Sequence, residues 1–438
     1  MTRLTEEIDA ALGAEVAPDA PGAAVAVLRD GEFLHCKGYG LADVEWGIPI
    51  APDTVFHIAS LTKQFTATAI MMLKERGLVS LDAPLETYLP DFPTRGRRVT
   101  LRHLLNHTSG IQTYSSLAYH TNGAARLHAS LKDLVARIAG LPFDFEPGER
   151  YLYNNSGYVL LGAIIERVGG MKYREFLERE IFRPLGMSRT LYLFDEPVVP
   201  RRAAGYQRGG AGIENASYVS ATSYHAAGGL GSTVLDLARW DKAVRTNLLV
   251  SAKSQAEMLR PTVLSDGSEF PYGYGWGTAT YRGRRIYHHA GGISGFACHM
   301  LHCRDEDVST IVLSNLYQFA FDRVARGLVR AVLGEAPVVQ PRKSLTAGAL
   351  AACAGSFRAE GTPDTAERRL VPTGEGLAFA EPGGPQLMPI ADGHFCESND
   401  GEVEYVFNAL ENGSYARFRY ASPLFPPTTY RRCEPAAG

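Results

Sequence analysis

The stretch that decides the fold is FHIASLTKQFTATAIMMLKERG, from Phe56 to Gly77. Its apolar residues recur with helical spacing, which predicts an amphipathic helix. Ser60 and Lys63 stand near its start, three residues apart and so on one helical face, among Phe56, Ile58, Ala59, Phe65 and Ile70. A serine hydroxyl is a poor nucleophile until a base takes its proton. Lysine can be that base once burial and positive potential lower its pKa, and a helix N-terminus supplies such potential. A capping serine beside an exposed lysine is the plain alternative. It fits poorly, because a lysine in so apolar a segment is costly to bury without a task.

Two further segments bear on this pair. In Gly148-Glu-Arg-Tyr-Leu-Tyr153-Asn154-Asn155-Ser156-Gly157 a Pro-Gly turn leads to Tyr-x-Asn just before a helix. A phenol at Tyr153 could relay a proton to a leaving group, and the Asn155 amide could hold a substrate carbonyl or the lysine. A turn with a cap explains the same residues more plainly. In Tyr287-His288-His289-Ala290-Gly291-Gly292 a strand ends in consecutive glycines, where another backbone can approach closely. Its N–H groups and that of Ser60 could stabilise an oxyanion. The plain alternative is a loose hairpin turn.

S-x-x-K, Y-x-N and a basic residue-x-Gly, in this order and at these separations, resemble the penicillin-binding protein and class C β-lactamase superfamily. The resemblance is to its D-Ala-D-Ala carboxypeptidase and esterase branch. The blocks LLNHTSGI (Leu104 to Ile111) and AAGGLGSTVLDLARW (Ala226 to Trp240) support it. It implies an α/β (α+β) fold: an antiparallel sheet flanked by helices, with a helical subdomain. It also implies Ser60 as acylated nucleophile, and Lys63 as its base, alone or shared with Tyr153. His289 takes the third-motif position, and the N–H groups of Ser60 and Gly292 form the oxyanion hole. Asn155, Gly291, Gly292, Tyr114 and Gly228 are the substrate-binding candidates. The expected activity is acyl transfer from peptide amides or esters, with D-residue peptides as substrates. A peptide-cyclising thioesterase acting on carrier-bound peptides, a small-ester esterase and a catalytically weak penicillin-binding sensor are the alternatives. The chain departs from the class C pattern in having His289-Ala290-Gly291 where those enzymes carry Lys-Thr-Gly, so a substrate carboxylate need not be recognised. It also lacks a tyrosine before the glycine at Gly228, which predicts a roomier cleft and poor β-lactam hydrolysis.

The rest of the chain fits this frame. Residues 1–336 read as the catalytic domain and 345–438 as a small β-barrel resembling a lipocalin-like domain, with a proline-bearing linker from Glu335 to Ser344. A hairpin is expected about Asp30-Gly31. Thr100 is expected to cap TLRHLLNH, and a helix should start at a Ser156 cap and stop at Gly169-Gly170. RRIYHHAGG, FACHMLHC and DVSTIVLSNL read as strands, and FDRVARGLVRAVLG as a helix. In the tail, EVEYVFNAL and SYARFRYAS read as strands, with turns at Gly383-Gly384 and Asn412-Gly413. FACHMLHC suggests a zinc site, but on a strand Cys298 and His302 face one way and His299 and Cys303 the other, so four ligands could not converge. No metal or cofactor is expected. A net charge of -3, with no block of basic residues, argues against nucleic-acid and membrane partners. The acidic start and absence of an export signal suggest a cytoplasmic protein with free thiols. The oligomeric state is open.

Overall fold

The computed structural model describes every residue except 1–2, 116–118, 121, 194–197, 361–366, 383 and 435–438. Helix α1 (Arg3–Glu15) buries Ile8 and Leu12. Strands β1 (Ala23–Arg29) and β2 (Glu32–Tyr39) follow as an antiparallel pair. Asp30 (φ 52°) and Gly31 (φ 83°) both take the left-handed backbone that an Asp-Gly hairpin turn needs. β1 is covered on both faces. Ala24, Ala26 and Leu28 enter one core, and Ala23, Val25 and Val27 the other, so its sequence shows no polar alternation.

The helical middle comes next. Helix α2 (Thr62–Glu75) is preceded by a three-ten turn, Ala59–Leu61. Thr100 caps Leu101–Leu105 as expected. Helix α3 (Asn155–Gly169) ends at Gly170, also as expected, but Asn154 rather than Ser156 caps its start. Asn154 has extended backbone and its Oδ1 accepts the Gly157 N–H (2.8 Å). Ser156 already lies inside the first turn, and its hydroxyl donates to Gln112 O (2.8 Å). Helix α4 (Val234–Arg245) is capped by Thr233.

Strands β3 (Gly277–Tyr281), β4 (Arg284–Ile293), β5 (Phe296–Cys303) and β6 (Val308–Ser314) then complete one six-stranded antiparallel sheet, in the order β3-β4-β5-β6-β1-β2. The sheet is thus built from both ends of the catalytic part, with the helices inserted between. Helix α5 (Phe321–Leu333) packs with α1 on one face through Val324, Leu328, Ile8 and Leu12. On the other face Phe65 of α2 and Trp240 of α4 stack with centroids 4.1 Å apart. FACHMLHC is β5, and its alternation holds: Cys298 belongs to the helical-side core and Cys303 to the opposite one.

Residues 335–346 have no regular secondary structure and run along the tail, where Gln340 donates to Gly401 O (3.1 Å) and the Lys343 N–H to Pro389 O (2.8 Å). Eight antiparallel strands, from Gly355–Ala359 to Thr428–Cys433, form a closed barrel around Phe357, Phe395, Phe407 and Phe418. Asn412 (φ 48°) and Gly413 (φ 78°) make the expected hairpin turn. Gly383 of the expected Gly383-Gly384 turn lies outside the described residues. The barrel is bound to α5 by charge. Arg326 is fully buried and pairs with Asp322, Asp400 and Glu402, while Arg330 and Arg282 reach Glu402 at 2.6 and 2.8 Å.

Candidate active site

Ser60 sits in the three-ten turn just ahead of α2. Ala59, immediately before it, has φ +44°, a backbone that a residue with a Cβ holds only when its surroundings enforce it. The Ala59 N–H donates to His57 Nδ1 (3.2 Å), and β4 lies directly against the turn. A Cβ on Gly291 would stand 2.7 Å from Ile58 O and 3.1 Å from Ser60 N, so this position has room only for glycine. At Gly292 the nearest atom to such a Cβ is Tyr317 Cε2, at 3.7 Å; Gly292 faces open space.

Lys63 has no exposed surface. Its Nζ lies 2.8 Å from Asn155 Oδ1, 2.7 Å from Ala227 O and 3.1 Å from Ser60 Oγ. Asn155 is oriented by its own Nδ2, which donates to Ser115 Oγ (2.8 Å). Burial pushes the lysine well below its ordinary pKa. A neutral amine has two hydrogens and one lone pair. The amide and carbonyl oxygens can only accept, so they take both hydrogens, and the lone pair is left for the Ser60 O–H.

The Lys63 Nζ also lies 4.7 Å from the centroid of the Tyr153 ring. Among the described residues the buried Tyr153 hydroxyl meets no partner in good hydrogen-bond geometry, with the Ser60 hydroxyl its nearest candidate. Burial pushes its pKa up, and the nearby Ser60 hydroxyl offsets only part of that rise. Tyr153 is therefore a neutral phenol at rest, able to give a proton rather than take one.

His289 is brought to the same wall. Its Nε2 lies 2.9 Å from Tyr272 Oη and its Nδ1 2.6 Å from Ala290 O. Burial above all lowers its pKa to about 3. With both ring nitrogens engaged, His289 presents no free N–H to a substrate. Gly228 borders the turn of Ser60, where a Cβ would lie 3.7 Å from Ala59 C. A Cβ there would meet Tyr224 Cβ at 3.2 Å, and the Tyr224 hydroxyl pairs with His120 Nε2 (2.8 Å). Tyr114 does not line the cavity onto which Ser60 opens: its hydroxyl donates to Ser223 O (2.5 Å) and its N–H to Ser156 Oγ (3.0 Å), tying two loops together.

These groups open onto a cavity of about 630 Å³, lined by Ser60, Tyr153, His289 and Gly292 on one side and by Arg368, Leu424 and Phe425 of the barrel on another. Phe425 stands edge-on to His288, with centroids 5.1 Å apart. Among the described residues no carboxylate lines this cavity. The sequence reading missed Tyr272 and the barrel residues. Tyr272 lies in an aromatic turn with no motif of its own, and Phe425 in a loop 365 positions from Ser60 in a sequence of 438, with no local signal. His107 was in view within LLNHTSGI but had no assigned task.

A family profile described as Beta-lactamase matches residues 7–335, and the chain belongs to that family. It is 33% identical to penicillin-binding protein 4* of Bacillus subtilis, over 66% of this chain and 67% of that protein. It is 31% identical to a D-aminopeptidase of Gluconobacter oxydans over 72% of this chain, a match that spans 59% of the relative's length. Among solved structures, the octameric penicillin-binding protein homologue from Pyrococcus abyssi superposes with a TM-score of 0.69 at 25% identity, covering 98% of this chain and 99% of that one.

Proposed function

We propose that the chain is a serine hydrolase that acylates Ser60 and acts on small peptide amides or esters carrying D-residues. The observation that carries the acyl-enzyme reading is the fully buried Lys63 Nζ 3.1 Å from Ser60 Oγ, with Asn155 Oδ1 and Ala227 O placed to take two of its hydrogens. Lys63 takes the Ser60 proton as Oγ attacks the substrate carbonyl. The resulting oxyanion lies against the N–H groups of Ser60 and Gly292. As the carbon–nitrogen or carbon–oxygen bond breaks, the Tyr153 phenol gives its proton to the leaving atom and recovers one from the Lys63 ammonium. Water then repeats the sequence on the acyl-enzyme, and its proton returns Ser60 to the free form. The D-residue preference rests on the likeness to a D-aminopeptidase.

The test is intact-mass analysis after exposure to a fluorophosphonate and to an activated ester, with peptide mapping. An adduct on the Ser60 peptide, absent from Ser60→Ala, is expected, together with faster release from D- than from L-amino acid amides. An adduct elsewhere, or full activity in Ser60→Ala, overturns the assignment. A preference for L-amides overturns the substrate class alone.

A further inference from the structure

Three aromatic side chains, Tyr272 and His289 in the cleft wall and His107 behind it, form a line of hydrogen bonds that the acyl transfer just described does not use. His107 Nε2 lies 3.2 Å from Tyr272 Oη, and Tyr272 Oη 2.9 Å from His289 Nε2. Backbone groups at the two ends decide where the protons are. The Asn154 N–H donates to His107 Nδ1 (3.1 Å), so a neutral His107 carries its proton on Nε2. At the other end His289 Nδ1 faces the Ala290 carbonyl oxygen at 2.6 Å. That oxygen can only accept, so the His289 proton is on Nδ1 and Nε2 is an acceptor. Tyr272 has one hydroxyl proton. It accepts from His107 and donates to His289, and the line runs in one direction.

The line joins two parts of the site. His107, at φ +61°, also accepts the Leu152 N–H at its carbonyl (2.9 Å), so its ring and backbone together hold the segment that carries Tyr153 and Asn155. Its ring packs on Tyr153 with centroids 4.4 Å apart. At the far end the Ala290 carbonyl shares a peptide plane with the Gly291 N–H, at the point where β4 touches the turn of Ser60.

We propose that Tyr272 and His107 are positioning residues for acylation: the directed line from His107 through Tyr272 to His289 ties the Tyr153–Asn155 segment to the Ala290–Gly292 edge and locks His289 as its Nδ1–H tautomer. This rests on the acyl-enzyme reading. Among the described residues the titratable groups facing His289 are Lys63, His288, His299, Tyr153 and Tyr272, and those facing His107 are Lys63, His289, Tyr151, Tyr153, Tyr158 and Tyr272. Among the described residues none of them is a carboxylate, and burial outweighs the backbone groups of Ala290 and Asn154, which alone favour the charged rings. The Tyr272 donor favours neutral His289 further, because a proton on Nε2 would displace it.

The first measurement needs no variant. Side-chain ¹⁵N–¹H correlation spectra of the intact protein at neutral pH are expected to show His289 as the Nδ1–H tautomer and His107 as the Nε2–H tautomer. An imidazolium or the opposite tautomer at either ring overturns the proposal. The second is single-turnover acylation by an activated ester. In Tyr272→Phe the acylation rate is expected to fall about ten- to a hundredfold, the effect of losing one buried hydrogen bond, with KM unchanged. The acid limb of its pH profile should move up, because His289 has lost the donor that kept it neutral. A Tyr272→Phe protein that melts normally and keeps the wild-type rate and profile overturns the positioning role. Both tautomers as expected, but no Ser60 adduct in the unmutated protein, overturns the acyl-enzyme reading instead.

Discussion

Replacing Gly291 with alanine measures how tightly β4 holds the nucleophile's turn. The new Cβ would come 2.5 Å from Cys298 Sγ, 2.7 Å from Ile58 O and 3.1 Å from Ser60 N. The sulfur can rotate away, whereas the Ile58 and Ser60 atoms are backbone. Ordinary contact begins at 3.4 Å, so the Ile58 oxygen is too close by 3.4 − 2.7 = 0.7 Å, and the strand and turn must part by a comparable distance. Overpacking of this kind costs about 1–3 kcal/mol of stability. A displacement near 1 Å in a catalytic arrangement costs about a hundredfold in rate. Gly291→Ala is therefore expected to melt a few degrees lower and to acylate about a hundredfold more slowly, read as the burst with a chromogenic activated ester. Gly292→Ala is the control. It keeps its N–H and places its Cβ 3.7 Å from the nearest atom, so a stability change within about 0.5 kcal/mol is expected. The reasoning fails if Gly291→Ala acylates within about threefold of wild type, or if Gly292→Ala is the more damaged of the two.

Lys63→Ala and His289→Ala separate base from wall. Removing the base should lower single-turnover acylation by about a thousand- to ten-thousandfold, and removing a histidine with no free donor by about ten- to a hundredfold. Faster acylation by Lys63→Ala than by His289→Ala reverses the assignment. Arg326→Ala leaves Asp400 buried beside Asp322 without its guanidinium, while Glu402 keeps Arg330 and Arg282, a loss of about 3–5 kcal/mol. Calorimetry should show a lowered melting temperature and trypsin faster cutting between Ala336 and Ser344; an unchanged melt refutes the interface role.

The sequence carried the sheet and the Ser60–Lys63 pair clearly, because each had a local signature. Asp30-Gly31 demanded a left-handed turn, the β4 and β5 runs were strand-like over whole lengths, and Ser60 with Lys63 broke an otherwise apolar helix. The cap of α3 went to Asn154 rather than Ser156 because two adjacent polar residues can both cap, and only backbone conformation chooses between them. Tyr224 lies against Gly228, four positions later, because a three-ten turn folds back on itself. Phe425 and Arg368 reach the cleft because the barrel docks on α5 through buried ion pairs, a long-range arrangement with no short-range pattern. His289 was legible as a strand residue, but what it could offer a substrate was not. That depended on Tyr272, which a sequence places only as a turn.

The two nitrogen bases of the site differ in how their hydrogen bonds respond to a proton. As an amine, Lys63 gives its hydrogens to Asn155 Oδ1 and Ala227 O and accepts from Ser60. As an ammonium it would give the third hydrogen to the Ser60 oxygen and keep the other two bonds. The same three partners thus satisfy both states, and the proton can pass between Oγ and Nζ without any side chain turning. Burial sets the resting direction. It lifts the neutral form of the lysine, and no carboxylate lining the cavity among the described residues opposes it. His289 lacks this freedom. Its Nδ1–H is committed to Ala290 O and its Nε2 to the Tyr272 hydroxyl, so a second proton would break the Tyr272 bond and place a cation beside Lys63. One base is therefore built to exchange a proton and the other to refuse one. On the proposed acyl-enzyme reading, this division gives proton transfer to Lys63 and leaves His289 to hold the strand that faces the developing oxyanion.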